Sequence, residues 1–140
     1  MQEITPSEWR LMRVIWTLHS VTSAKLIQVM QEMTEWSPST IKTLLKRLEA
    51  KGFVTNNGEA RNRTYYATVK EIDTMNSQLE TLFSAMCAHK TGQSLAEVLE
   101  ALPLSQHDCQ ALINILQEKA NKAPAHIQCN CLPNSKKSCH

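Results

Sequence analysis

The sequence predicts a mainly α chain with one small β-hairpin, and three observations carry that expectation. Capped amphipathic helices fill the first fifty residues, the hydrophobic period shortens over residues 53–69 around an Asn/Gly-rich turn, and residues 71–122 return to helical spacing. Three helices followed by a hairpin is the order of a winged helix-turn-helix. The expected organisation is a winged-helix domain over 1–70, a helical dimerisation region over 71–122 and a flexible cysteine-rich tail over 123–140.

Each element has a local cause. Thr5-Pro6-Ser7-Glu8 reads as a capping box with proline in the first turn, followed by an apolar face of Trp9, Leu11, Met12, Ile15, Trp16 and Leu18. Thr22 caps a second helix carrying Leu26, Val29, Met30 and Met33. Ser37-Pro38 opens a third, with Ile41, Leu44, Leu45 and Leu48 inward, and Lys51-Gly52 ends it. Phe53-Val54-Thr55 and "TYYATV" (64–69) read as strands on either side of "NNGEARN".

Beyond the hairpin, Ile72, Met75, Leu79, Leu82 and Met86 form a nearly heptad stripe. Ser94 with Glu97 reads as the cap of a short helix ending before Pro103. Ser105 with Asp108 caps another, with Leu112, Ile113 and Leu116 on one face. Such long, narrow stripes, with little else to bury them, read as a subunit interface and hence a homodimer. Cys87 and Cys109 lie within these amphipathic patterns and read as buried structural thiols.

The 140 residues suit one or two small domains. Neither a signal peptide nor a run of membrane-spanning length is legible, so the expected location is cytoplasmic, with reduced thiols and no membrane partner. Five cysteines, an odd number, argue against a closed disulfide framework. Residues 1–70 carry ten Lys/Arg against six Asp/Glu, and the remainder five against seven, so the first half favours an anionic partner. No nucleophile–base pair, carboxylate pair or phosphate loop is spaced for catalysis, and an enzyme is not expected.

On the third helix, Ser39, Lys42, Thr43, Lys46 and Arg47 fall at i, i+3, i+4, i+7 and i+8, opposite the apolar face. Short hydroxyls near a helix N-terminus suit base edges, and cations suit phosphates, as a helix in the major groove of double-stranded DNA requires. Arg61 and Arg63 at the hairpin tip add a second cationic point for flanking backbone or minor groove. The competing reading is an ordinary solvated helix surface.

"TPSEWRLMRVIW" followed by "STIKTLLKRLEAKGFV" resembles the BlaI/MecI family of winged-helix repressors, over roughly residues 5–70. The resemblance implies a recognition helix from Ser37 to Lys51, with Thr40, Lys42, Thr43, Lys46 and Arg47 contacting DNA. Ser39 stands where relatives often have Lys or Asp.

The tail reads "CNCLPNSKKSCH" (129–140). In an extended chain, residues two apart point the same way, so Cys129 and Cys131 can grip one metal. Cys139 and His140 add a third thiolate and an imidazole, while His126 and the terminal carboxylate are spares. Thiolates are soft ligands for Cu(I) and Zn(II), and zinc wants four donors where Cu(I) accepts fewer. The competing reading is an unstructured, redox-reactive tail.

Within the family, such a tail resembles that of the CopY-type copper-responsive repressors, which carry two C-x-C pairs four residues apart. Here Cys139-His140 replaces the second pair, after a spacer of seven residues. The resemblance implies a dimeric repressor of copper-homeostasis genes that reads an inverted-repeat operator, its DNA-bound form supported by zinc and released by Cu(I). A copper chaperone is a further candidate partner. Two rivals are a family member responding to β-lactam, which needs no cysteine tail, and a copper-handling protein whose winged helix docks a protein.

Overall fold

The computed structural model describes residues 2–133. Its elements are α1 (Pro6–Leu18), β1 (Ser20–Thr22), α2 (Ser23–Met33), α3 (Pro38–Ala50), β2 (Val54–Asn56), β3 (Thr64–Ala67), α4 (Glu71–Ser84), a 3₁₀ turn (Ala88–Lys90), α5 (Thr91–Ala101) and α6 (Gln106–Ala120). The mainly helical winged-helix fold is as expected, but its β part is a three-stranded antiparallel sheet in the order β1-β3-β2. β1 pairs Val21 with Tyr65, and β2 pairs Thr55 with Tyr66. Among the described residues no helix is long and apolar enough to cross a membrane.

Packing divides the chain into two compact units, one through Leu79 and one from Glu80 onward. In the first, Leu11, Met12, Ile15, Leu26, Met30, Ile41, Leu48 and Phe53 are buried in one core. Trp9 and Trp16 pack on that core with ring centroids 5.9 Å apart, and the Trp16 indole donates to the Val69 carbonyl at 2.9 Å. The start of α4 belongs to this unit: Thr74 is buried, and the Gln78 side chain bonds Ile4 N and Gln2 O.

The caps seat the helices. Glu8 is buried and closes the α1 capping box, accepting from Thr5 N at 3.0 Å while Thr5 Oγ1 accepts from Glu8 N. Lys51, at the C-terminus of α3, donates to Glu8 Oε1 at 2.6 Å and to the Glu3 carbonyl at 2.8 Å. Burial alone would push the Glu8 carboxyl up. The Lys51 ammonium and the Thr5 donors outweigh it and hold the group below the ordinary carboxylate value. This ion pair ties the end of α3 to the start of α1.

α3 then stops by geometry. Gly52 takes φ +84, its N–H reaching the Glu49 carbonyl and the Phe53 N–H the Leu48 carbonyl, both at 3.0 Å. That is a Schellman closure, with buried Phe53 and Leu48 as its apolar contact.

The second unit differs in kind. Among the described residues from Glu80 onward none is buried. Leu82, Met86, Leu95, Val98, Leu102, Ile113, Ile115 and Leu116 are each between 41% and 60% exposed. Here three local expectations are corrected. α5 begins at Thr91, three residues before Ser94, because the 3₁₀ turn leads straight into it. α4 stops at Ser84, leaving Met86 and Cys87 past its end. Cys109 is exposed on α6, and Cys87 is half-buried rather than enclosed in a core.

Candidate functional site

Among the described residues two sets of side chains carry chemistry, and they arise from different elements. The first is the outer face of α3. Its core side, Ile41, Leu44, Leu45 and Leu48, is buried, so helical geometry leaves Ser39, Thr40, Lys42, Thr43, Lys46 and Arg47 exposed. Ser37 caps the helix, accepting from Thr40 N at 3.2 Å, and its hydroxyl lies 3.0 Å from both the Ser39 and Thr40 hydroxyls. Thr43 donates its hydroxyl proton to the Ser39 carbonyl at 2.9 Å, which fixes its rotamer. The face presents three cations behind a cluster of hydroxyls at the helix N-terminus, where backbone N–H groups also favour anions.

The wing is built by asparagines. Asn57 Oδ1 accepts from Glu59 N and Thr64 N, and Asn56 Oδ1 from Gly58 N, so the turn is held by side chains rather than by packing. Asn62, at φ +48, accepts from Ala24 N at 3.0 Å, and Ser23 N donates to the Arg63 carbonyl at 2.8 Å. These bonds moor the wing on the first turn of α2. Arg61 and Arg63 are both exposed on it, Arg63 bracing its Nε on the Glu59 carbonyl.

The second set is a thiol cluster within the second unit. The ligand sulfurs of Cys87, Cys129 and Cys131 lie within 4.8 Å of one another, with Cys87 and Cys129 at 3.9 Å. Bonds between side chains and backbone hold the segment that follows α6 against the 3₁₀ turn. Asn130 Oδ1 accepts from Ala88 N at 2.9 Å, and His89 Nδ1 lies 2.9 Å from the Ile127 carbonyl. Cys131 N points at Cys129 Sγ at 3.4 Å. Cys139 and His140, the other two residues expected to bind metal, lie outside the described residues.

Cys87 is the residue that sequence reasoning missed. Its apolar neighbours continue the α4 spacing, which suggested a buried helix position. Only the return of residues 127–131 across the 3₁₀ turn brings it to the other thiols. A donor set of three thiols fits a soft, thiophilic ion and does not fit magnesium or calcium, which take oxygen.

The comparisons bear on most of the chain. An uncharacterised 16.5 kDa protein in the ptsI 3' region of Latilactobacillus sakei is 45% identical over 132 residues, covering 94% of this chain and 90% of that protein. The methicillin resistance regulatory protein MecI of Staphylococcus aureus is 30% identical over 117 residues, covering 84% of this chain and 95% of MecI. The solution structure of the DNA-binding domain of the repressor BlaI is 33% identical, covering 52% of this chain and 93% of that domain, with a TM-score of 0.47. The penicillinase repressor family profile matches residues 4–118, from the strand of chain entering α1 almost to the end of α6. The chain therefore belongs to the penicillinase repressor (BlaI/MecI) family, which comprises transcriptional repressors and not enzymes.

Proposed function

We propose that this chain is a copper-responsive, cytoplasmic repressor that binds as a homodimer to an inverted-repeat operator of copper-homeostasis genes. The observation that carries the copper reading is the gathering of Cys87, Cys129 and Cys131, two of which lie beyond the stretch the family shares. The family-wide part supplies the DNA-reading fold, and the thiols are what this chain adds to it.

In this reading Ser39, Thr40 and Thr43 face base edges, while Lys42, Lys46, Arg47, Arg61 and Arg63 neutralise phosphates. Lys51 and Glu8 hold α3 in the attitude that presents this face. The exposed apolar residues of α4, α5 and α6 join two copies, placing two reading helices about one DNA turn, roughly 10 bp, apart. In the zinc-supported, DNA-bound form, Cys129, Cys131, Cys139 and His140 offer three thiolates and one neutral imidazole. Zinc would supply a structural cross-link and no chemical step. Cu(I), delivered by a chaperone or free thiol, is the signal, and release follows only if it favours the DNA-incompetent state.

The test begins with the zinc-loaded full chain selecting duplexes from a random pool. Enriched sequences should be inverted repeats, and one equivalent of Cu(I) per chain should lower affinity for them at least tenfold by fluorescence anisotropy. Enrichment without two-fold symmetry would sink the dimeric operator reading. Undiminished affinity after copper loading would sink the copper reading and leave the coarser one, a family repressor answering another signal.

A further inference from the structure

Among the described residues three thiols come together, yet only two of them belong to the tail. Cys87 sits three residues past the end of α4, at the start of the 3₁₀ turn that leads into α5. Its backbone is fixed from both sides, its carbonyl accepting from Lys90 N at 3.2 Å and from Thr91 Oγ1 at 3.1 Å. Cys129 and Cys131 reach it because Asn130, between them, caps Ala88 N. The Cys-Asn-Cys segment is thus docked by its middle residue, with both thiols turned toward Cys87.

We infer that Cys87 is a metal ligand, and that Cys87, Cys129 and Cys131 form a three-thiolate Cu(I) site that fastens the tail to the junction between α4 and α5. This rests on the copper reading above and deepens it, since it names a ligand outside the tail. An ion bonded to three sulfurs at about 2.3 Å holds them about 4 Å apart. The Cys87–Cys129 separation of 3.9 Å and the 4.8 Å limit on the cluster need only a small contraction to meet that. Binding one Cu(I) displaces three thiol protons to solvent, and no electron is transferred.

Donor count decides the selectivity. Three thiolates complete a trigonal Cu(I) site but leave zinc one donor short of its tetrahedron. Among the described residues no fourth His, Cys, Asp or Glu ligand atom joins the group, so His89 does not fill the gap in this arrangement. Copper at this site also has a mechanical effect that a site confined to the tail would lack. Cys87 lies three residues after α4, the helix that follows the wing, so the ion bridges the segment leaving that helix to residues 129–131.

The experiment uses the full, reduced, metal-free chain and Cu(I) alone. X-ray absorption at one equivalent counts the sulfurs, and competition with a chromophoric Cu(I) chelator gives the affinity. The wild type should show three sulfurs. Cys87→Ser should show two, with affinity at least tenfold lower, and Cys129→Ser should match it. The double variant Cys109→Ser/Cys139→Ser retains only the three clustered thiols and should keep three sulfurs and wild-type affinity. Cys109 is exposed on α6, and the variant guards against a Cys87→Ser chain that fails to fold.

Three sulfurs and unchanged affinity in Cys87→Ser, or loss of a sulfur in the double variant, would overturn the assignment and return the ion to the tail. So would a Cys87–Cys129 disulfide in place of bound copper under these reducing conditions. The operator readout is separate. If Cys87→Ser loses copper while copper-loaded wild type still holds its selected DNA, the site stands and the copper-repressor reading falls. If wild type releases DNA with copper and Cys87→Ser binds copper normally, the reverse holds.

Discussion

In the proposed DNA-reading mode, Thr43 is the residue on which sequence specificity would turn. Its hydroxyl proton is already committed to the Ser39 carbonyl, so toward DNA the side chain offers only oxygen lone pairs and a methyl group. It therefore suits an amino group of adenine or cytosine, or a thymine methyl. Thr43→Ala is expected to cost about 1–3 kcal/mol at one operator position and little on nonspecific DNA. Thr43→Val separates the two contacts, since it keeps a methyl and removes the oxygen. Lys46→Ala should behave differently, weakening all duplexes alike and lowering the salt slope by about 0.9. Salt titrations of both variants decide this, and an unchanged slope for Lys46→Ala would remove it from the phosphate contacts. Glu8 gives a pH test. Its carboxyl is held below the unfolded value of 4.5, so its stabilising contribution is complete above that pH and is lost as pH falls through the folded value. Lys51→Met strands the buried carboxylate and should cost on the order of 2 kcal/mol or more at neutral pH. In urea unfolding, the gap between wild type and Lys51→Met should shrink as the pH falls below 4.5 and through the depressed folded value, where the wild-type carboxylate is protonated as well. A gap independent of pH would mean that Lys51 stabilises through Glu3 instead. The polar face of α3 was legible because exposure follows from helical spacing once the apolar side is known. The Glu8–Lys51 pair was not, because its partners are 43 residues apart in sequence.

Elements were legible where their signals are local. The caps at Thr5, Thr22, Ser37 and Ser105 each stand where a side-chain oxygen meets the N–H three residues on. Gly52 ends α3 for the same kind of reason, a left-handed residue that only its own backbone demands. β1 escaped notice because three residues, Ser20–Thr22, carry no period, and its identity as a strand comes from pairing with β3 more than forty residues away. The start of α5 was misplaced by the same logic. Ser94 and Glu97 mimic a capping box, yet the turn at Ala88–Lys90 has already set the helical path. Gly52 allows a clean test of the local account. A Cβ there meets nothing within 4 Å, so Gly52→Ala tests conformation alone. It should destabilise the first unit by roughly 1–2 kcal/mol in thermal or urea unfolding. Operator affinity well below the unfolding midpoint should be unchanged, since the polar face of α3 is untouched. A neutral effect on stability would show that the Schellman closure tolerates a side chain.

At the scale of the molecule, the two units solve the burial problem differently. The first encloses a core, and its buried Glu8 carboxylate is held by Lys51 and Thr5 through Oε1, while Oε2 has no hydrogen-bond partner among the described residues. The second, among its described residues, encloses nothing, and its apolar residues line the surfaces of α4, α5 and α6. Exposed apolar faces of that extent mark a surface meant for another chain. A two-fold partner is the simplest occupant, because the inverted-repeat reading needs two heads and a closed dimer supplies them. Leu82 and Leu116 test this from separate helices, both exposed and both outside the core of the first unit. The variant Leu82→Glu/Leu116→Glu places charges on the apolar surface, where a buried interface would have to desolvate them. In sedimentation analysis wild type should be a dimer and the variant a monomer, with the thermal transition of the winged-helix unit retained. Linking two heads multiplies affinity by effective concentration, so loss of the dimer should weaken binding to a full inverted repeat by about 10²-fold or more. Binding to an isolated half-site, which uses one head, should not change. A variant that remains dimeric and holds the full repeat as wild type does would place the subunit contact elsewhere. Equal losses on half-site and full repeat would mean instead that the substitutions had damaged the reading head itself.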